Sequence, residues 1–286
     1  MSQLVTVGLP VYNGEKYLRQ ALESLLSQSH ASIELIVSDN ASTDATERIC
    51  LEVAAKDKRV FYIRQSLNNG PIWNFNFVLG QAKGDYFMWA AHDDLWDKEW
   101  VARLLNNHKS KTAISFGHVV NIDERGKIIK TYPRSEFSGN RLMRLIRFYL
   151  AEDTHGKPNL IYGLYKTDLL KKLGFKLYGK SQYGQDMQVI LSCLPYGGIA
   201  SDPSVLLYKR VETAVERSMT CWAMLSSIFL LNRIGSYWVY PRIVPNLLDK
   251  LILTALFPIK YLASFVYSFV TRAFRYFPTT RSARRV

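Results

Sequence analysis

Asp93 and Asp94 stand side by side in the run Ala90-Ala91-His92-Asp93-Asp94-Leu95-Trp96, between an apolar stretch, Tyr86 to Trp89, and a helix predicted to open near Lys98. Adjacent carboxylates at the carboxyl end of a buried strand repel each other and resist desolvation, so the arrangement is costly unless a cation or a reaction uses it. A metal-bound, phosphate-bearing ligand is the chemistry such a pair suits. Two more loops are dense in polar side chains, Pro10-Val11-Tyr12-Asn13-Gly14-Glu15 and Ser38-Asp39-Asn40-Ala41-Ser42-Thr43-Asp44. Each follows a predicted strand, and in an open parallel sheet ligands bind outside the carboxyl ends of the strands. Together the three loops can contact a base, a ribose and a metal-bound pyrophosphate.

The elements that must hold these loops alternate. Strands are expected at Val5 to Leu9, Ile33 to Ser38, Val60 to Arg64 and Tyr86 to Trp89, with helices at Lys16 to Gln28, Asp44 to Ala55 and Pro71 to Gln81 between them. Such alternation implies an α/β protein with a mostly parallel sheet. Leu35-Ile36-Val37 is a continuous apolar run, as in a strand covered on both faces, while Leu18, Ala21, Leu22 and Leu25 repeat at helical spacing. Gly70-Pro71 puts proline at a first helical position, and Ser42 to Asp44 offers caps for the second helix. Downstream, a helix at Glu99 to Asn107, a strand at Ala113 to Val120 and a turn at Asp123 to Gly126 lead into a hairpin arm, Lys127 to Thr131, which makes the sheet mixed. A helix at Asn140 to Leu150, the segment Asn159 to Gly174, a helix at Asp186 to Leu194 and a strand at Val205 to Arg210 complete a first domain, 1–215.

Composition narrows the class. The chain has 286 residues, 48% of them hydrophobic, enough for a substantial core. Cys50, Cys193 and Cys221 are too few and too scattered for a disulfide framework or a zinc site, which favours a reducing, cytoplasmic setting. Met1 to Leu9 has no basic n-region, so no signal peptide is expected. The net charge is +13, and from Arg233 onward nine basic residues face a single acid, Asp249. That basic stretch is also the most apolar, which suits anionic lipid better than the polar recognition face of a nucleic-acid binder. Leu247 to Thr271 resembles a membrane span but is interrupted by Asp249, Lys250, Pro258 and Lys260. Two short amphipathic helices hinged at Pro258, with Trp222, Trp238, Tyr261 and Tyr267 at an interface, are expected in a second region, 216–286, in peripheral or monotopic attachment to the inner face of the cell membrane. The alternative is a helical subdomain packed on the first domain or at a dimer interface.

The ordered motifs resemble those of family 2 inverting glycosyltransferases. The resemblance rests on Val7-Gly8-Leu9-Pro10-Val11-Tyr12-Asn13-Gly14-Glu15, on Glu34 to Asp44, on Asn69-Gly70 leading to Asn76, on Ala82 to Tyr86, on Ile161 to Gly174 and on Gly184-Gln185-Asp186-Met187. It implies the GT-A nucleotide-sugar transferase fold with a C-terminal helical amphipathic appendage. It further implies that Pro10, Tyr12, Asn13, Glu15 and Asn76 line a nucleotide pocket, with Asp39 hydrogen-bonded to the base. Asp93 would bind a divalent cation, Mg or Mn, bridging the diphosphate, and Asp94 would orient it or touch the donor sugar. Asp186 would deprotonate the acceptor hydroxyl. The implied donor is a nucleotide-diphosphate sugar, a UDP-sugar first among them, and the implied acceptor a saccharide or lipid-linked saccharide in cell-surface polysaccharide assembly.

Two positions depart from the family pattern. Ala91 replaces an acid two residues before Asp93, and Val211 replaces a metal-binding histidine after Lys209 and Arg210. Mg²⁺ commonly keeps several waters and relies on one or two carboxylates plus substrate phosphates, so a cation site can survive both losses. Plainer roles also stand open: Asp39 as a turn cap, Asp186 as a helix N-cap, Tyr12 and Trp96 as packing residues, His92 as a solvated turn side chain. A polyprenyl-phosphate glycosyltransferase and a non-catalytic nucleotide-sugar-binding membrane scaffold are the rival functions. No Gly-X-Gly-X-X-Gly follows the first strand, which argues against a nicotinamide enzyme.

Overall fold

The computed structural model describes residues 3–132, 137–153, 156–175, 184–211 and 231–276. Cys221 and Trp222, named above, lie outside them. The first half forms the expected alternation: β1 (Val5–Val11), α1 (Leu18–Leu26), β2 (Ile33–Asp39), α2 (Thr46–Ala54), β3 (Val60–Arg64), α3 (Pro71–Gln81) and β4 (Tyr86–Trp89). The four strands are parallel, with Val7 of β1 opposite Leu35 on one side and Met88 on the other. Every residue of β1, β2 and β4 is buried, the reason their sequences run apolar instead of alternating. On α1 the inward stripe is Leu18, Ala21, Leu22 and Leu25. At Gly8 any Cβ would lie 2.7 Å from the Phe87 ring and 2.8 Å from Val78, so glycine lets α3 sit tightly on β1.

The second half adds β5 (Leu95–Trp96), α4 (Trp100–Asn107), β6 (Thr112–Ile122), β7 (Ile128–Thr131), α5 (Arg141–Leu150), a 3-10 turn (Lys157–Tyr162), β8 (Leu164–Lys166), α6 (Thr167–Leu173), α7 (Gln185–Cys193) and β9 (Gly198–Arg210). The sheet order is β3-β2-β1-β4-β8-β6-β9-β5, with β7 paired to β6. It is mixed: β8 runs antiparallel to both β4 and β6, whereas β6 and β9 are parallel. Two features depart from expectation. The helix after Asp94 opens at Trp100, because Leu95 and Trp96 first pair with Tyr208 and Leu207 of β9. β9 itself starts seven residues early, at Gly198, in a stretch without alternation that parallel pairing with β6 holds extended. Trp96 is buried in the core, as a packing residue is, and the described cysteines, Cys50 and Cys193, are free and buried.

The C-terminal helices α8 (Leu231–Ile243), α9 (Leu247–Ala255) and α10 (Phe257–Tyr276) pack against α5 and α7. They join the first domain through buried charge. Asp249 of α9 is fully buried and pairs with Arg141 of α5 at 3.2 Å. Lys260 of α10 donates from Nζ to the Ala151 carbonyl at 2.8 Å and to Asp153 Oδ1 at 3.2 Å. Asp153 also accepts from Lys157 Nζ at 2.8 Å and, on Oδ2, from the Tyr237 hydroxyl at 3.0 Å. Burial alone would raise the Asp153 carboxyl, but the two ammonium groups hold it below its usual range; burial pulls Lys157 down to about 8. Among the described residues no single helix is long and apolar enough to cross a membrane; α9 and Phe257–Val270 together reach that length with a 43° bend between them.

Candidate active site

Two cavities meet beyond the carboxyl ends of β1, β2 and β4. The first, about 440 Å³, is lined by Pro10, Val11, Tyr12, Asn40, Asn68, Asn74, Ala91, His92 and Asp93. The second, about 500 Å³, is lined by Ile72, Asp153, Pro158, Asn159, Ile161, Phe175, Gln185, Asp186 and Met187. Pro71, Phe75, Tyr162 and Lys209 wall both. The arrangement is therefore one bipartite cleft with a carboxylate on each side.

Asp93 and Asp94 behave differently although adjacent. Asp94 is fully buried; its Oδ1 accepts from the Arg210 backbone N–H at 2.9 Å and its Oδ2 from Lys209 Nζ at 3.2 Å. The β5–β9 pairing makes this possible, since Leu95 opposite Tyr208 sets Asp94 beside residues 209 and 210. Burial pushes the Asp94 carboxyl up, against the opposing pull of Lys209. Lys209 is itself held above its usual range: burial disfavours its charge, but Tyr162, Asp94 and Asp93 outweigh that. Asp93 reaches the first cavity, and its carboxylate has no hydrogen-bond or ion-pair partner among the described residues. Arg210 is engaged elsewhere. Its guanidinium donates to the Asp93, Asp123 and Glu124 carbonyls and to Gln20 Oε1, stapling the acidic loop to the β6–β7 turn and to α1.

Asp186 sits in the first turn of α7 after Gly184, whose φ of 72° suits glycine. Its Oδ1 accepts from the Met187 N–H at 2.8 Å. Burial among Pro158, Ile161, Phe175 and Met187 raises its carboxyl to about 6, more than the Met187 bond lowers it. A carboxyl so placed can take a proton near neutral pH.

The other residues expected in a nucleotide pocket divide. Pro10 and Tyr12 line the first cavity. Asn13, Glu15, Asp39 and Asn76 line neither; they build its frame. Asn13, at φ 51°, accepts on Oδ1 from the Thr43 N–H at 2.8 Å, and Glu15 Oε2 from the Ala45 N–H at 2.9 Å, so both tie the β1 loop to the β2 loop. Asp39 is wholly buried, its Oδ1 accepting from the Ser42 N–H at 2.8 Å, its Oδ2 from the Tyr62 hydroxyl at 2.8 Å and from Arg64 Nη1 at 2.9 Å. Three donors thus occupy most of the acceptor sites of the carboxylate. Asn76 clamps Phe175 by both backbone groups, accepting from its N–H and donating to its carbonyl at 3.0 Å each.

The cavity lining also includes residues that the sequence reading passed over. Asn40 donates to Asn68 Oδ1 at 2.7 Å and accepts from the Asn69 N–H at 3.0 Å, which fixes the loop before α3. Asn74 donates to the Ser38 carbonyl at 2.9 Å, while its buried Oδ1 has no partner among the described residues. Asn74 borders the first cavity. The available signal was the run Asn68-Asn69 and Asn74 around Gly70-Pro71, whose amides sit beside a helix start. Among the described residues no cluster of three or more His, Cys, Asp and Glu side chains is arranged for a metal. A single free carboxylate, Asp93, facing a cavity still fits a hard cation that keeps waters and takes its remaining ligands from phosphate.

Comparison with known proteins agrees with this architecture. Residues 6–169 match the sequence profile of the family described as glycosyl transferase family 2. A protein described as an uncharacterized glycosyltransferase from Rickettsia typhi is 31% identical over 218 residues, covering 74% of this chain and 65% of that protein. The chain thus spans less than two thirds of that relative's length. Among solved structures, S. aureus TarS 1-349 in complex with UDP superposes with a TM-score of 0.60 at 20% identity, covering 97% of this chain and 93% of the other. A mannosyltransferase, PcManGT from Pyrobaculum calidifontis in complex with GDP-Man and Mn2+, gives 0.56 at 16% identity over 96% and 76%. At these identities the likeness concerns the fold.

Proposed function

The chain belongs to glycosyl transferase family 2, and from that premise we propose that it moves a sugar from a nucleoside diphosphate donor to an acceptor hydroxyl, inverting the anomeric carbon. The observation that carries the reading is the bipartite cleft: Asp93 on one side, Asp186 on the other, and Lys209 in the wall between. The neighbours' bound UDP and GDP-Man support a nucleotide on the first side, where the amides of Asn40, Asn68 and Asn74 suit a base. Asp186 takes the proton of the acceptor hydroxyl as its oxygen bonds to the anomeric carbon. The bond from that carbon to the diphosphate breaks on the opposite face, and its electron pair leaves with the nucleoside diphosphate. Asp153, the other carboxylate lining the second cavity, is held by Lys157, Lys260 and Tyr237, which leaves Asp186 as the base, and one base suits a single displacement, hence inversion. Lys209, locked by Asp94, presents fixed positive charge to the leaving diphosphate. Asp93 would hold a divalent cation, Mg²⁺ or Mn²⁺, which when bound supplies further charge neutralisation. The largely apolar walls of the second cavity suit a saccharide carried on a lipid, as in cell-surface polysaccharide assembly.

The deciding experiment pairs a donor screen with one substitution. Uridine, guanosine and thymidine diphosphate sugars are titrated by thermal shift, with and without Mg²⁺ or Mn²⁺, against the wild type and Asp186→Asn. The expected result is that one donor stabilises both proteins alike, and that transfer to added acceptor is lost in the variant alone. Transfer persisting in Asp186→Asn, or no donor raising the Tm, overturns the reading.

A further inference from the structure

The amphipathicity of α9 and α10 is inverted relative to their place on the protein. On α10 the inward stripe is polar, Lys260, Ser264 and Ser268, at a spacing of four, while Ile259, Leu262, Val266 and Phe269 face outward. On α9 Asp249 and Leu253 point in and Leu247 and Leu251 point out. Those six outward apolar side chains are between 49 and 70% exposed and make up the outer face of the two helices. The inner face is committed: buried Asp249 to the partly exposed Arg141, and buried Lys260 to buried Asp153 and to the Ala151 carbonyl. The helices cannot roll their leucines onto the domain without abandoning those pairs, and an uncompensated buried charge is far costlier than an exposed leucine. The same pairs hold both helices against the domain.

We propose that this outer face docks on the surface of an anionic lipid bilayer, with Ile259, Leu262 and Phe269 at the level of the acyl boundary. Charge selects that occupant. The chain carries +13, and Arg272, Arg275, Arg281, Arg284 and Arg285 follow the apolar face in sequence with no acid among them. A second copy seated on the same face would bring the same excess of arginine against itself, whereas an anionic leaflet attracts both the net charge and the local cluster. Along α10 the rings of Phe257, Tyr261, Phe265 and Phe269 succeed one another at 6.3 to 6.4 Å, an aromatic row of the kind that sits at headgroup depth. The second cavity is tied to this face through Asp153, which lines it and binds Lys260.

Flotation of the full chain with phosphatidylcholine vesicles, and with vesicles containing phosphatidylglycerol, tests the proposal. The wild type is expected to float with the anionic vesicles at low salt, and weakly with the neutral ones. Leu251→Gln/Leu262→Gln/Phe269→Gln should reduce partition at least tenfold while leaving the Tm within a degree or two, because the replaced side chains are exposed; single Leu262→Gln, tested alongside, should give an intermediate loss. Wild type that stays in solution with anionic vesicles overturns the proposal, as does triple-variant partition equal to wild type. A concentration-dependent dimer that the triple variant abolishes, without vesicle binding, assigns the face to a second copy and overturns it too. Vesicle binding needs neither donor nor acceptor, so its failure leaves the transfer reading untouched.

Discussion

Asp186 combines burial, a helix start and a carboxyl raised to about 6, and each has a measurable result. As a base it acts deprotonated, so kcat/KM should climb tenfold per pH unit below about 6 and level off above it. Its folded-state pKa lies above the ordinary carboxylate value, so ionising it disfavours the fold, and this contribution grows as pH rises from about 4 through 6. Asp186→Asn removes that penalty; at pH 7 its Tm should equal or exceed the wild type's while transfer falls at least a thousandfold. Lys209 separates binding from proton transfer. Lys209→Gln should raise the donor Kd roughly tenfold, a loss of about 1.4 kcal/mol, and leave the pH limb where it is, with Lys209→Arg partly restoring affinity. Asp39 offers the opposite pattern: with three buried donors on its carboxylate, Asp39→Ala should cost about 2 to 4 kcal/mol of stability by leaving them unpaired. A donor titration on refolded, stable Asp39→Ala protein showing lost affinity with an unchanged melt would contradict that. The placement of these residues was partly legible in the sequence. Asp93 and Asp186 reach the cavities their motif positions imply, but Asp39, Asn13 and Glu15 look alike in a loop whether they face ligand or neighbouring backbone, and only the fold separates the two.

At the scale of elements, the shortest pieces carry most of the positioning. β5 has two residues, too few for periodicity to reveal, yet its pairing with β9 sets Asp94 against Lys209 across 115 positions of sequence. The long elements were plain because local patterns specify them: β3, β4 and α3 begin and end where their sequence does. Asn76 lies on α3 and its amide reaches Phe175, just beyond α6, 99 residues later, a contact that no spacing rule foretells. Phe175 packs on Phe75 and Trp89, at 5.5 and 5.0 Å between ring centroids, and walls the second cavity. Asn76→Ala removes both bonds of that clamp, so acceptor KM should rise severalfold while donor Kd stays within twofold. Hydrogen exchange should quicken around residues 173–175, and an acceptor KM equal to wild type would show that the clamp does not shape that cavity.

At the scale of the whole molecule, Lys260 decides whether the C-terminal helices form an appendage or part of the body. In the sequence it reads as a charge interrupting an apolar run; its partners, Asp153 and Ala151, come from more than a hundred residues earlier, so its burial could not be read from its neighbours. Lys260→Ala leaves Asp153 one ammonium short in a buried site and should cost on the order of 3 kcal/mol, seen as a Tm roughly 5 to 10 °C lower in one unfolding transition. Two separate transitions would mean that the helices fold apart from the sheet. The shared wall of Pro71, Phe75, Tyr162 and Lys209 has a consequence of another kind. Whatever fills one cavity changes the surface offered to the other, so the two ligands are thermodynamically linked, and linkage is reciprocal. If the donor sharpens acceptor binding by some factor, the acceptor must sharpen donor binding by the same factor.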